Sequence, residues 1–150
     1  MKHKMTRSEL VNKVNKYFSI TELVCEHTLE RFGIDAWKFI NPQALETLLV
    51  LRTKILKVPL TINTNAAHQR GLRCNLCSLV KEKQTQYLSG HVLGCAFDVL
   101  SKEMTAAQMR TLIVQQKQLL PYPIRIEAGV TWLHFDLLTT SNEKVTFFEV

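Results

Sequence analysis

Apolar residues recur at helical spacing through the first third of the chain. Leu10, Val11 and Val14 stand among Lys, Arg and Asn between residues 6 and 17, the pattern of a short amphipathic helix. Ser19 with Glu22 forms a capping box, and Phe18 with Leu23 forms the hydrophobic staple around it, so a helical turn is predicted to start at Ser19. The strongest helical run follows Asn41 and Pro42, an N-cap and N1 pair. There Ala44, Leu45, Leu48, Leu49, Leu51, Ile55 and Leu56 keep one face apolar up to Lys57, which predicts the central core helix.

Beyond Pro59 the period changes. Leu60 to Thr64 begins by alternating apolar and polar residues, which predicts a short strand. Residues Asn65 to Leu88 are mostly polar with no sustained period, and a loop of that length inside one domain is usually functional. Gly94 to Leu100 returns to strand character, and Thr105 with Gln108 makes a second capping box for a helix through Met109, Leu112 and Ile113 that ends before Pro121. Pro123 to Glu127 and Thr131 to Leu138 predict two strands joined by a turn at Ala128, Gly129 and Val130, with a short final strand at Val145 to Phe148. This order predicts an α+β fold, a small antiparallel sheet covered by helices on one face.

At 150 residues, with no repeat and no linker, the chain is expected to form a single domain over 1–150. Hydrophobic residues make up 46% of it, which fits a soluble globular protein better than a disordered chain, while apolar stretches such as Leu48 to Leu51 fall far short of the roughly 20 residues that span a bilayer. The net charge of +6 suits an anionic partner such as cell wall, nucleic acid or lipid headgroups, or serves solubility alone. The N-terminal MKHKMTRSEL is basic but has no apolar stretch or small-residue cleavage site after it, so it does not read as a signal peptide and synthesis in the cytoplasm is expected. Under that expectation Cys25, Cys74, Cys77 and Cys95 are free thiols by default. Cys74 and Cys77 have the spacing of half a zinc site or a redox pair. With no second C-x-x-C and no H-x-x-x-H elsewhere, packing or loop thiols are the expectation for them.

Chemistry concentrates in two segments. His91 and Asp98 can face one site if the chain bends at Gly94 and then runs extended, with Ala96 and Asp98 on one face and Cys95 and Phe97 on the other. In the second segment, alternation puts Trp132, His134 and Asp136 on one face and Leu133, Phe135 and Leu137 on the core face. Two histidines and one carboxylate with a fourth position left for water is the composition of a catalytic zinc site, and His91, Asp98 and His134 are potential ligands of one Zn²⁺. Such a site needs a general base. Glu127, on the strand before His134, can face it across the hairpin. Arg70 and Arg73 in the long loop offer a fork for a substrate carboxylate, with a plain surface role equally open to Arg70.

These residues resemble a known family. Ser89, His91, Gly94, Ala96 and Asp98 in the pattern S-x-H-x-x-G-x-A-x-D, followed by Trp132, His134 and Asp136 as W-x-H-x-D, are similar to the D-alanyl-D-alanine carboxypeptidase type of zinc peptidase. That group includes vancomycin-resistance dipeptidases and many phage endolysins, and shares its fold with the hedgehog signalling domain. The likeness covers residues 17 to 138, and Gly71, Leu72 and Arg73 look like the displaced Gly-Tyr-Arg that binds substrate in the family. Two departures stand out. Thr131 occupies the position where many members carry the catalytic carboxylate, and residues 65 to 70 are inserted between the strand and Arg73.

The resemblance implies a zinc metallopeptidase that cleaves a peptide bond of the peptidoglycan stem, monomeric, acting on the cell wall as a phage lysis protein or related bacterial enzyme would. His91, Asp98 and His134 would hold the zinc, Glu127 would be the base, and Arg73, Ser89 and Trp132 would be on the substrate side, with Ser89 also steadying its loop. Trp132 could equally serve the core, and Asp136 is expected to support a ligand rather than be one. Two rivals remain open: a non-catalytic zinc-containing wall-binding module, which Thr131 favours, and a basic nucleic-acid binder with Cys74 and Cys77 on zinc. The lack of interleaved exposed aromatics speaks against the second, so no nucleic-acid partner is expected.

Overall fold

Strand alternation builds the centre of the molecule. In a computed structural model that describes residues 3–150, the strands are β1 (Ala96–Val99), β2 (Ile124–Glu127), β3 (Leu133–Asp136) and β4 (Val145–Phe148), and they form one sheet in the order β1-β3-β2-β4. Phe97, Val99, Ile124, Ile126, Leu133 and Phe135 are buried in the core, each contributing about 1.5–3 kcal/mol of burial free energy. The intervening positions, Ala96, Asp98, Arg125, Glu127, His134 and Asp136, are thereby left to the other face.

The sheet is mixed rather than antiparallel. β1 with β3 and β3 with β2 run antiparallel, but β4 runs parallel to β2. The reason lies in the connection. β3 ends beside the start of β2, with Asp136 opposite Arg125, and residues 137–144 turn the chain back at that same end. β4 therefore begins next to Ile124 and follows β2 in its own direction.

The expected strand at residues 60–64 is reduced to two isolated antiparallel bridges, Thr61 with Leu100 and Thr64 with Ala67. Its remaining polar groups are used elsewhere. The Asn63 backbone N–H donates to the Glu22 carbonyl, its side-chain amide donates to the Val24 carbonyl and accepts from the Arg70 N–H, and the Ile62 carbonyl accepts from the Arg70 guanidinium. The Arg70 carbonyl in turn accepts from Asp98 N–H at 2.7 Å, so the long loop covers the outer edge of β1.

Helices form at the predicted starts at Ser19 and Asn41, and also at Thr6 and Cys25. α1 (Arg7–Val14) opens on a Thr6–Glu9 capping box, α2 (Ile20–Leu23) on the Ser19–Glu22 box, and α3 (Glu26–Phe32) follows with Cys25 as N-cap before a 3₁₀ stretch over Gly33–Phe39. α4 (Pro42–Val50) begins at Asn41, whose side chain accepts from Gln43 N–H at 2.8 Å. Asn41→Ala is expected to lower unfolding free energy by about 1 kcal/mol in urea titration, because one N-terminal amide loses its acceptor.

The central helix does not continue as an α-helix to Lys57. Leu51–Ile55 form a π turn, in which Leu56 N–H donates to the Leu51 carbonyl. Thr53 supplies a cause: its hydroxyl donates to the Leu49 carbonyl, the acceptor that its own N–H would use in an α-helix. The wider turn buries Leu51, Ile55 and Leu56 together. The long loop also contains a short helix, α5 (Ser78–Lys81), and the second predicted box opens α6 (Ala106–Gln115). α1 packs on α4 while α6 lies over β3, which leaves the opposite face of the sheet for the polar residues. No helix among the described residues is long and apolar enough to cross a membrane.

Candidate functional site

Register alone brings four of the polar residues together. Asp98 on β1 is the direct partner of His134 on β3, Ala96 the partner of Asp136, and Asp136 also the partner of Arg125 on β2. His91 arrives from the turn before β1. That turn is closed by Leu93 N–H to the Ser89 carbonyl and Cys95 N–H to the Gly90 carbonyl, and it bends at Gly94, where φ is +71° and the Phe39 carbonyl fills the space a side chain would need. Gly90 lets the turn lie flat on the sheet: a Cβ there would stand 2.7 Å from the Ala96 Cβ and 3.0 Å from the Asp136 Cβ.

The two histidines are each held at one ring nitrogen. His91 Nδ1 donates to the Gly71 carbonyl at 2.8 Å, which leaves Nε2 facing Asp98 Oδ1 at 3.3 Å. His134 Nε2 donates to Asp136 Oδ2 at 3.0 Å, and Nδ1 stands 2.8 Å from the same Asp98 Oδ1. A ligating histidine commonly gives its second nitrogen to a carboxylate or a backbone carbonyl, and both arrangements occur here. Asp136 is fixed by Arg125, which donates through Nε and Nη2 at 2.9 Å each, and by the Leu138 N–H. The Phe148 ring of β4 packs edge-on to His134 and lies under the Arg125 guanidinium.

Burial and charge pull against each other in this cluster. Burial pushes Asp98 up, but hydrogen bonds to His134 and His91 outweigh it and hold its carboxyl well below the usual range. Asp136 is likewise pushed up by burial and brought down to about 2 by His134 and Arg125. His134 is lowered by burial and raised further by its bonds to Asp136 and Asp98, to about 9. The two carboxylates thus favour the protonated form of the ring. A metal held at Nδ1 would compete with that proton.

A cleft of about 410 Å³ opens above these groups, and its walls include Arg73, Ser89, Glu127 and Trp132. Glu127 follows Arg125 on the polar side of β2, as alternation predicts. Trp132 is 37% exposed, so it belongs to the cleft wall and not to the core. The Ser89 hydroxyl accepts from Val92 N–H at 3.3 Å and steadies the turn that carries His91. Arg73 donates through Nε to the Gln69 carbonyl and through Nη2 to Asp98 Oδ2 at 3.3 Å. Arg70 is held by its hydrogen bonds to Asn63 and Ile62, a structural part rather than an open surface position.

Arg125 is a site residue that the sequence reading missed. Arg125 lies two positions before Glu127 on the same strand and so on the same face. A second group was missed as well. Among the described residues two sets of side chains bring their ligand atoms within 4.8 Å of one another and could hold a metal ion: His91, Asp98 and His134, and Cys25, His27, Cys74 and Cys77. Cys74 and Cys77, expected as packing or loop thiols, stand in the second of these sets beside the C-x-H pair Cys25 and His27. All four cysteines of the chain are free thiols. Burial pushes Cys25 up, but hydrogen bonds from Thr28 bring it down to about 7, while burial, with Cys25 adding to it, pushes Cys77 up to about 12.

Comparison with family models, with curated proteins and with solved structures finds no match to this chain.

Proposed function

We propose that the cleft is the hydrolytic centre of a zinc peptidase that cuts a peptide bond in the peptidoglycan stem, with His91, Asp98 and His134 as the zinc ligands. One observation carries this reading: each histidine has one nitrogen fixed by a separate anchor, Gly71 or Asp136, and turns the other to a shared oxygen of Asp98. The donor set suits zinc, which when bound acts as a Lewis acid on a carbonyl and yields a nucleophile from water near neutral pH.

The chain's own residues supply the rest. Glu127, which lines the same cleft as the ligands, takes the proton from the attacking water and passes it to the leaving amine. Thr131, the residue at the family's usual carboxylate position, lines a different hollow beside Arg110 and Val130, so it does not compete for that role. The Arg73 Nη1 group makes no hydrogen bond among the described residues and is available to a substrate carboxylate. Trp132 and Ser89 flank the peptide. The hedgehog-like fold and the cell-wall target rest on the sequence resemblance, and the net charge of +6 suits an anionic wall.

The test is cleavage of purified muropeptides followed by mass spectrometry, with zinc counted by elemental analysis. Wild-type protein is expected to cut the stem, to stop on chelation and to recover on zinc addition. His91→Ala should lose cleavage and one equivalent of zinc. Zinc-replete wild type that leaves muropeptides intact, or a fully active His91→Ala, would overturn the reading. Product masses distinguish D-Ala-D-Ala trimming from L-Ala-D-Glu cleavage.

A further inference from the structure

Outside the cleft, four ligand-type side chains converge from two distant parts of the sequence. Cys25 caps α3 and His27 lies in its first turn, while Cys74 and Cys77 bracket the turn that leads into α5. Cys74 Sγ is 3.7 Å and Cys77 Sγ 3.8 Å from His27 Nδ1, and the two sulfurs are 4.0 Å apart. Zinc bound tetrahedrally at about 2.3 Å to sulfur and about 2.0 Å to nitrogen has S···S edges of about 3.8 Å and S···N edges of about 3.5 Å. The three observed separations lie within about 0.3 Å of those edges.

The backbone around the sulfurs is shaped for the same purpose. Leu76 N–H donates to Cys74 Sγ at 3.4 Å and Cys77 N–H to the Cys74 carbonyl, a tight turn that presents both sulfurs on one side. Three sulfurs and one imidazole fill a tetrahedron and leave no position for substrate, which is the composition of a structural site.

The cluster is continuous with the cleft. Leu72 pairs with α2 and α3 through Leu72 N–H to the Leu23 carbonyl and Cys25 N–H to the Leu72 carbonyl. On either side of Leu72, the Gly71 carbonyl anchors the His91 ring and Arg73 N–H donates to the His91 carbonyl. One short run of chain thus holds the cleft histidine at its start and two of the three sulfurs at its end.

We propose that Cys25, His27, Cys74 and Cys77 bind one structural zinc ion that clips the start of α3 to residues 71–77 and so keeps Gly71 and Arg73 against His91 and Asp98. This site is independent of whether the cleft hydrolyses anything. Cobalt(II) tests it in the reduced full-length protein, because thiolate ligands give an intense sulfur-to-metal charge-transfer absorption in the near ultraviolet that a histidine and carboxylate site cannot give.

In chelator-stripped wild type the band is expected to saturate at one equivalent of cobalt and to be bleached by zinc. It should persist in His91→Ala and vanish in the Cys74→Ser, Cys77→Ser double variant. The wild-type spectrum needs no variant to fold. Absence of the band from wild type, or its persistence in the double variant, overturns the site. The clip is read by hydrogen exchange in His91→Ala, where metal at the cleft does not contribute. Zinc should slow amide exchange in residues 71–77 at least tenfold, and unchanged exchange overturns that part.

Discussion

Glu127→Gln is expected to lower the turnover of muropeptides by about 10²–10⁴-fold while zinc content and the unfolding midpoint stay where they are. The substitution keeps the size of the side chain and removes only its ability to take a proton. Its place in the strand is secured by neighbours rather than by the carboxylate: Ile126 is fully buried, and Ala128 N–H donates to the Phe148 carbonyl at 2.8 Å. The loss should therefore appear in kcat, with KM nearly unchanged, because the proton transfer belongs to the transition state and not to substrate binding. Steady-state kinetics on a defined stem peptide would check this. A variant as fast as wild type would move the base to another group without touching the ligand assignment.

Asp136→Ala should have the largest effect on the folded state. The Asp136 side chain is 2% exposed and accepts from Arg125 twice, from His134 and from the Leu138 N–H. Truncation strands the Arg125 guanidinium over the Phe148 ring and frees His134 Nε2 to choose a new partner. Breaking one side of such a pair costs about 3 kcal/mol, somewhat moderated here because Arg125 keeps 30% of its side chain in solvent. Loss of the anchor on a ligating histidine lowers metal affinity by about 10–100-fold. Urea titration of the metal-free protein measures the first effect, and competition with a chromophoric chelator measures the second. Asp136→Asn, which retains one oxygen, should fall between wild type and Asp136→Ala in both.

Much of the fold was readable because its signals are local. The capping boxes at Ser19 and Thr105 and the Asn41–Pro42 start each depend on residues within one helical turn, and all three open helices. Period-two alternation gave the facing of Asp98 and His134, since a strand has only two sides. What could not be read depends on partners far away in the chain. The direction of β4 follows from where residues 137–144 leave the chain, and the π turn follows from a hydroxyl choosing a backbone acceptor. Residues 60–64 have the alternation of a strand, yet Asn63 spends its hydrogen bonds on Glu22, Val24 and Arg70. The Cys25 and His27 pair was hidden for the same reason. Only the pairing of Val24 with Leu72 brings it to Cys74 and Cys77, and nothing in a C-x-H spacing announces that pairing.

The two anchors of the cleft histidines differ in kind. His91 leans on the main-chain carbonyl of Gly71, and His134 leans on the side chain of Asp136. No substitution can delete a carbonyl, whereas a carboxylate is one codon change from an amide. Descendants of this sequence would inherit the orientation of His91 almost unconditionally, while the basicity of His134 is open to adjustment at position 136. Selection for a different metal or a different working pH would therefore find its variation on one side of the site only.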